Sequence, residues 1–290
     1  MSNRLSSRNS SANASSHPTA AADPRLFSIP EAEEIKREIC EAGKKLWLRQ
    51  YVDGNGGNIS YRIGPNEVIC TPTQLSKFDL KPEDLCMVDL DGHQVAGTKK
   101  STSEILLHLE IYKEVAEARS VVHCHPPHAT AYAITRKVPP NLCIPEFEVF
   151  VGRVAVAPYK TPGTKEFAQT VLPYVREHNT ILLASHGVVC WGDTVTHAEW
   201  YAEVLETYCW TLMLASQLAG PVFHLNEQEA AELIAFRKRL GVQPDMQLES
   251  ALAHNRNSAE SASLKSAANI DVEALVRRIT DSVLKELGAK

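Results

Sequence analysis

Three histidines and one glutamate carry the strongest chemical pattern in this chain. In Ser120-Val121-Val122-His123-Cys124-His125 the two imidazoles stand two residues apart on an expected strand, so both leave the same face and both can reach one ion. His186 follows another apolar run in Leu183-Ala184-Ser185-His186-Gly187, where Gly187 permits a close turn. Glu104, at the head of a helical pattern after Ser101-Thr102-Ser103, is the carboxylate candidate. Imidazole suits zinc, and three imidazoles with one carboxylate also suit manganese or iron. A His-x-His pair alone is equally compatible with two hydrogen-bonded histidines of a half-buried strand, and spacing leaves that open. His108, four residues after Glu104, is either a partner behind the ligands or part of a packed helical face. His128 and Cys124 read as packing residues.

A second pattern suits an anion. Asp53-Gly54-Asn55-Gly56-Gly57-Asn58-Ile59-Ser60 is a glycine-rich turn into a short strand, able to present successive backbone N–H groups, although such a turn also serves a plain hairpin. Thr71-Pro72-Thr73 and Ser101-Thr102-Ser103 add hydroxyls near the head of the Glu104 helix, where a phosphate could bind if the segments converge.

The elements that must position these groups alternate along the chain. Short apolar, largely β-branched runs at 67–70, 87–89, 120–124, 154–157 and 180–183 read as strands; helical patterns cover 103–118, 164–177, 196–219 and 226–240. A further helix runs from Ser28-Ile29-Pro30-Glu31, which has the form of a capping box, to about Arg49. The expectation is an α/β fold of three αβα layers, with the site on loops at strand ends. Around it lie a polar N-terminal tail (1–27), expected to be disordered, a catalytic domain (28–245), a flexible linker (246–268) and a terminal amphipathic helix (269–290). In that last segment Val272, Leu275, Val276, Ile279, Val283 and Leu287 form one apolar stripe.

Bulk properties exclude several classes. A net charge of −5 over 290 residues leaves no clustered cationic footprint for nucleic acid. No segment reaches the roughly 18 continuous apolar residues of a membrane span, and the N-terminal tail lacks the apolar stretch of a secretory signal. Seven scattered cysteines without a Cys-x-x-Cys pair suit reduced thiols in a cytosol.

Taken as an ordered set, Gly57-Asn58-Ile59-Ser60, Thr71-Pro72-Thr73, Ser103-Glu104, His123-Cys124-His125, Ala157-Pro158-Tyr159, Gly163-Thr164 and Ser185-His186-Gly187 resemble the class II aldolase/adducin family, in particular its fuculose-phosphate aldolase branch. The resemblance covers roughly residues 28–242. It implies one Zn2+ per subunit, with Mn2+ or Fe2+ as alternatives, held by Glu104, His123, His125 and His186. It implies that Glu104 also serves as acid/base, and that Asn58, Thr73, Thr102 and Ser103 hold a phosphate. The implied reaction cleaves a ketose 1-phosphate, L-fuculose 1-phosphate or L-rhamnulose 1-phosphate, to dihydroxyacetone phosphate and lactaldehyde, in a homotetramer.

Three positions depart from the branch. Gln74 stands where its Thr-Pro-Thr-Gly loop has glycine. Ile144 stands where it has a tyrosine, with Glu146 as a candidate replacement proton donor, and a terminal tyrosine is missing near Leu240. The same family includes sugar-phosphate epimerases, a dehydratase, decarboxylases and non-catalytic adducin-like scaffolds. The linker and terminal helix resemble an encapsulation peptide, which implies shell-protein partners and the lumen of a bacterial microcompartment.

Overall fold

In the computed structural model, which describes residues 21–218, 222–245 and 252, the short apolar runs pair into one sheet. Its strands are β1 (Asn58–Arg62), β2 (Val68–Cys70), β3 (Cys86–Val88), β4 (Gln94–Ala96), β5 (Ser120–Cys124), β6 (Ala155–Ala157), β7 (Thr180–Leu183) and β8 (Gly187–Gly192). They lie in the order β4-β3-β2-β1-β5-β8-β7-β6, antiparallel throughout except for the parallel pair β6–β7. Central strands β5, β7 and β8 are buried along their whole length, which explains why β5 and β7 read as apolar runs.

Two cores lie on opposite faces, and the period of two sorts residues between them. Ile59, Val122, Leu182 and Val188 face one core with α1 (Pro30–Leu48), α3 (Pro127–Thr135), α4 (Pro145–Phe150) and α6 (Val195–Ala215). Val121, Ile181, Val189 and Trp191 face the other with α2 (Ile105–Glu114) and the short α5 (Lys165–Ala168). Three layers result, as expected. This parity also fixes the site: residues 121 and 123 of β5 share a face, and opposite them in register stand Ser60 and Asn58 of β1. All four therefore look toward α2.

Several expectations need correction. Ser28 does not cap α1: it closes a 3-10 turn, Pro24–Ser28, and the helix starts one residue later with Ile29 as an N-cap that makes no side-chain hydrogen bond. Asp23 caps that turn by accepting from Arg25 N, and its own N–H donates to Glu67, so ordered backbone extends N-terminal to residue 28. The helix expected over 164–177 stops at Ala168 and continues as a 3-10 turn, Gln169–Val171, and further turns. Pro173 cannot donate to the ladder, which breaks the regular helix there. β4, β8, α3 and α4 were not anticipated. Residues 1–20, the linker at 246–268 but for residue 252, and the proposed encapsulation helix at 269–290 lie outside the described part of the chain. Among the described residues, no helix is long and apolar enough to cross a membrane.

The C-terminal end of the described body is tied down by one buried guanidinium. Arg237, on α7 (Glu227–Leu240), is 2% exposed and donates to Glu148 O, Val149 O and Pro244 O at 3.3, 2.8 and 3.1 Å. An Arg237→Met protein keeps the volume but strands three carbonyls. It should lose about 2–4 kcal/mol of stability, read as a fall in Tm of roughly 6–12 °C. An unchanged Tm would mean that water replaces the guanidinium at no cost.

Candidate metal and anion site

His123 enters the site with its tautomer set. Its Nδ1–H donates to Val188 O across the β5–β8 pair at 2.8 Å, which leaves the Nε2 lone pair facing out of the strand. His125 continues the same face just beyond β5, its backbone N–H held by Tyr51 O at 2.7 Å. His186 arrives on the three-residue turn between β7 and β8, where Ser185 takes a left-handed φ of 56° and His186 N donates to Leu183 O. Gly187 is required there by close approach: a Cβ would lie 2.5 Å from Cys124 O and 2.6 Å from the His125 ring. Gly57 has a similar role before β1, where a side chain would stand 2.9 Å from His123 O.

Glu104 is the N-cap residue of α2 and points its carboxylate at the same spot. His125 Nε2 lies 3.1 Å from His123 Nε2; Glu104 Oε2 lies 3.2 Å from His123 Nε2, and Glu104 Oε1 lies 3.6 Å from His186 Nε2. Two ligand atoms each about 2.0–2.1 Å from a tetrahedral ion would stand roughly 3.3–3.4 Å apart, so these separations fit one shared cation. His123, His125 and His186 form one of two groups among the described residues whose ligand atoms lie within 4.8 Å of one another. The other, Asp89, Asp91 and His93, is a partly exposed turn in which Asp89 Oδ1 already accepts the backbone N–H of Asp91 and His93. Burial, reinforced by mutual repulsion of the rings, keeps the imidazoles neutral. His123 is pushed well below its ordinary value, His125 down to about 4, and His186 downward against the opposing pull of Glu104. Neutral imidazole is the form that binds a metal.

The anion segments converge. Thr73 N donates to Lys100 O and Thr102 N to Thr71 O, which zips 71–73 to 100–102 beside the head of α2. Thr73 is half-buried, Thr102 buried and Ser103 exposed, and Thr102 Oγ1 accepts the Glu104 backbone N–H at 3.4 Å. Asn58 is placed differently from a simple phosphate donor: its Nδ2–H donates to Glu104 Oε2 at 2.9 Å, and its Oδ1 faces His108 Nε2 at 2.5 Å. Gln74 holds a φ of 56°, the left-handed conformation that glycine adopts without strain.

Other candidates fall outside. His128 pairs with Glu206 at 2.6 Å and stacks on Trp210, and Cys124 is buried in the α1/α6 core. Glu146 lines a surface pocket with Glu203, Val204 and Thr207 of α6, a pocket to which none of the four clustered residues contributes. Sequence reasoning missed Lys77, 1% exposed, whose ammonium donates to Asn55 O at 3.2 Å and Leu75 O at 2.8 Å and so ties the glycine-rich loop to the segment after Thr73. Burial brings its pKa down to about 8. Nothing in its local sequence marks a lysine for burial.

Comparison with known proteins agrees with this geometry. Residues 37–213 match the Class II Aldolase and Adducin N-terminal domain. The chain belongs to this family. Among similar proteins of the class II aldolase/adducin family is an L-fuculose phosphate aldolase of Methanococcus maripaludis, 38% identical over 58% of this chain and 91% of its own length. A 3-oxo-tetronate 4-phosphate decarboxylase of Haemophilus influenzae is 33% identical over 68% of this chain and 95% of its own. In three dimensions a solved L-fuculose 1-phosphate aldolase superposes with a TM-score of 0.65 at 28% identity, covering 71% of this chain and 96% of that one.

Proposed function

We propose that this class II aldolase-family chain is a zinc-dependent lyase that cleaves a ketose 1-phosphate, L-fuculose 1-phosphate or L-rhamnulose 1-phosphate, to dihydroxyacetone phosphate and lactaldehyde. The observation that carries the reading is the set of ligand-atom separations around Glu104, His123, His125 and His186. A divalent ion held there supplies a Lewis acid for the ketose carbonyl. Glu104 moves the proton, and the hydroxyls of Thr73, Thr102 and Ser103 orient the phosphate with the head of α2. No lysine is needed for a Schiff base. We also retain as proposals a homotetramer, for which exposed Trp200 and Trp210 offer contact area, and an encapsulation role for residues 269–290 beyond the linker.

The Haemophilus relative favours a second reading. Loss of CO2 from a 3-oxo acid and loss of an aldehyde from a ketose both leave an enediolate next to the phosphate-bearing carbon, and decarboxylation needs no group to take a hydroxyl proton as an aldehyde forms. That bears on Ile144, where the branch has its tyrosine.

The test is dihydroxyacetone phosphate release from each sugar phosphate and from 3-oxo-tetronate 4-phosphate, by metal-loaded and EDTA-treated protein. Release from a sugar that EDTA abolishes and zinc restores supports the aldolase. Release from the oxo acid alone transfers the function to the decarboxylase.

The depressed imidazoles predict an unusual pH response. Free imidazoles near 6.5 would be roughly three-quarters protonated at pH 6, so three of them would release about two protons on binding metal. Here the folded values lie lower, so His123 and His125 stay neutral as pH falls through 6.5, and His125 takes its proton only toward about 4. Calorimetry of zinc binding at pH 6 in buffers of different ionisation enthalpy should show less than about one proton released. Release of two or more would mean that the rings titrate normally.

A further inference from the structure

The His108 ring is fully buried on α2, and both its nitrogens bond to residues other than the candidate ligands, Nε2 to Asn58 Oδ1 at 2.5 Å and Nδ1 to Ser60 Oγ at 2.7 Å. The directions of these bonds follow from chemistry. A carboxylate only accepts, so Asn58 must turn its NH2 toward Glu104 and its oxygen toward His108. His108 Nε2 must then carry the proton. Burial holds the ring down to about 3, so it is neutral and Nδ1 accepts from the Ser60 hydroxyl. With its proton committed, Ser60 Oγ accepts from the Tyr112 hydroxyl 2.7 Å away. Every member is buried: Ser60 and His108 at 0%, Tyr112 at 1%, Asn58 at 4% and Glu104 at 9% exposure. Sheet register makes this possible, since Asn58 and Ser60 share the face of His123.

We propose that His108 is a positioning residue: the one-directional chain Tyr112–Ser60–His108–Asn58 locks the Asn58 amide with its NH2 toward Glu104, and so aims that carboxylate at His123 and His186. The proposal rests on the reading of Glu104 as the working carboxylate. Without the relay Asn58 can rotate its oxygen toward Glu104, which would repel the carboxylate from the ligand cluster.

Two measurements on the full chain decide it. In 15N-histidine spectra of the metal-free protein, His108 should be the neutral Nε2–H tautomer between about pH 6 and 8. An Nδ1–H or charged ring overturns the relay. Second, His108→Leu removes both bonds, whereas His108→Gln keeps an N–H within reach of Asn58 Oδ1. His108→Leu should weaken zinc binding, and lower kcat with little change in KM, by about 10–100-fold, and His108→Gln should recover most of that loss. Equal loss in both variants, or wild-type zinc affinity in a folded His108→Leu protein, reduces His108 to packing. Should His108→Leu not fold, Ser60→Ala takes its place: it leaves the ring but removes the donor to Nδ1, and unchanged tautomer and zinc affinity there overturn the proposal. Wild-type protein that binds no zinc would sink the metal reading, and the tautomer measurement would still decide the relay.

Discussion

A His123→Asn protein should fold, lose its bound divalent ion and lose turnover together. The choice of asparagine follows from the two bonds of the ring. Nδ1–H holds Val188 O within the sheet, and an asparagine NH2 can keep that bond, while the Nε2 that faces His125 and Glu104 is deleted. His123 is fully buried at the centre of the cluster, so a two-histidine remnant with one carboxylate has no central ligand. Metal content should fall from about one ion per chain to near zero, and lyase activity by ~10³ or more, the equivalent of about 4 kcal/mol of lost Lewis-acid stabilisation. Circular dichroism and Tm of the metal-free forms should match closely. Activity that survives with no metal bound would remove the ion from the reaction altogether.

What could be read in the sequence was what depends on local period. His123 and His125 could be placed on one face because strand side chains alternate, and His186 could be placed at a turn because an apolar run ends there beside Gly187. The order of motifs did the rest, and the three-layer α/β expectation holds. What escaped depends on register between distant strands. Asn58 is engaged by Glu104 and His108 only because β1 pairs with β5 so that Asn58 stands opposite His123, a relation between residues 65 apart that no local pattern encodes. Lys77 escaped for the same reason: its buried ammonium is stabilised by carbonyls of two loops that meet only in the folded chain.

Misread boundaries have local causes as well. The break after Ala168 comes with Pro173, inside a stretch whose apolar period by itself reads as one helix over 164–177. β8 was hidden by the shortness of its connection: only Ala184, Ser185 and His186 separate it from β7, so one apolar stretch is in fact a hairpin. That hairpin fixes the position of His186. A longer turn would let His186 wander, whereas here Leu183 O holds His186 N at 3.0 Å and the left-handed Ser185 turns the chain sharply enough to bring the ring 4.7 Å from that of His123.

Glu104→Gln should separate metal binding from proton transfer, which His123→Asn cannot do. The substitution is nearly isosteric, and the glutamine oxygen can still accept from Asn58 Nδ2, so the contact at 2.9 Å survives. Three imidazoles remain, with the central His123 among them, and such a set holds zinc in catalytic sites. The lost function is the reversible uptake of a proton, whose removal costs about 10²–10⁴ in rate. We therefore expect near-stoichiometric zinc, a KM for the phosphorylated substrate within a few-fold of wild type, and kcat reduced by ~10³. Deuterium exchange into dihydroxyacetone phosphate isolates the step, since it needs only proton abstraction from the bound ketone and no aldehyde. Wild-type protein should catalyse that exchange and the Gln variant should not. Exchange that persists in the Gln variant would assign the proton to another group, and Glu104 would then be a ligand alone.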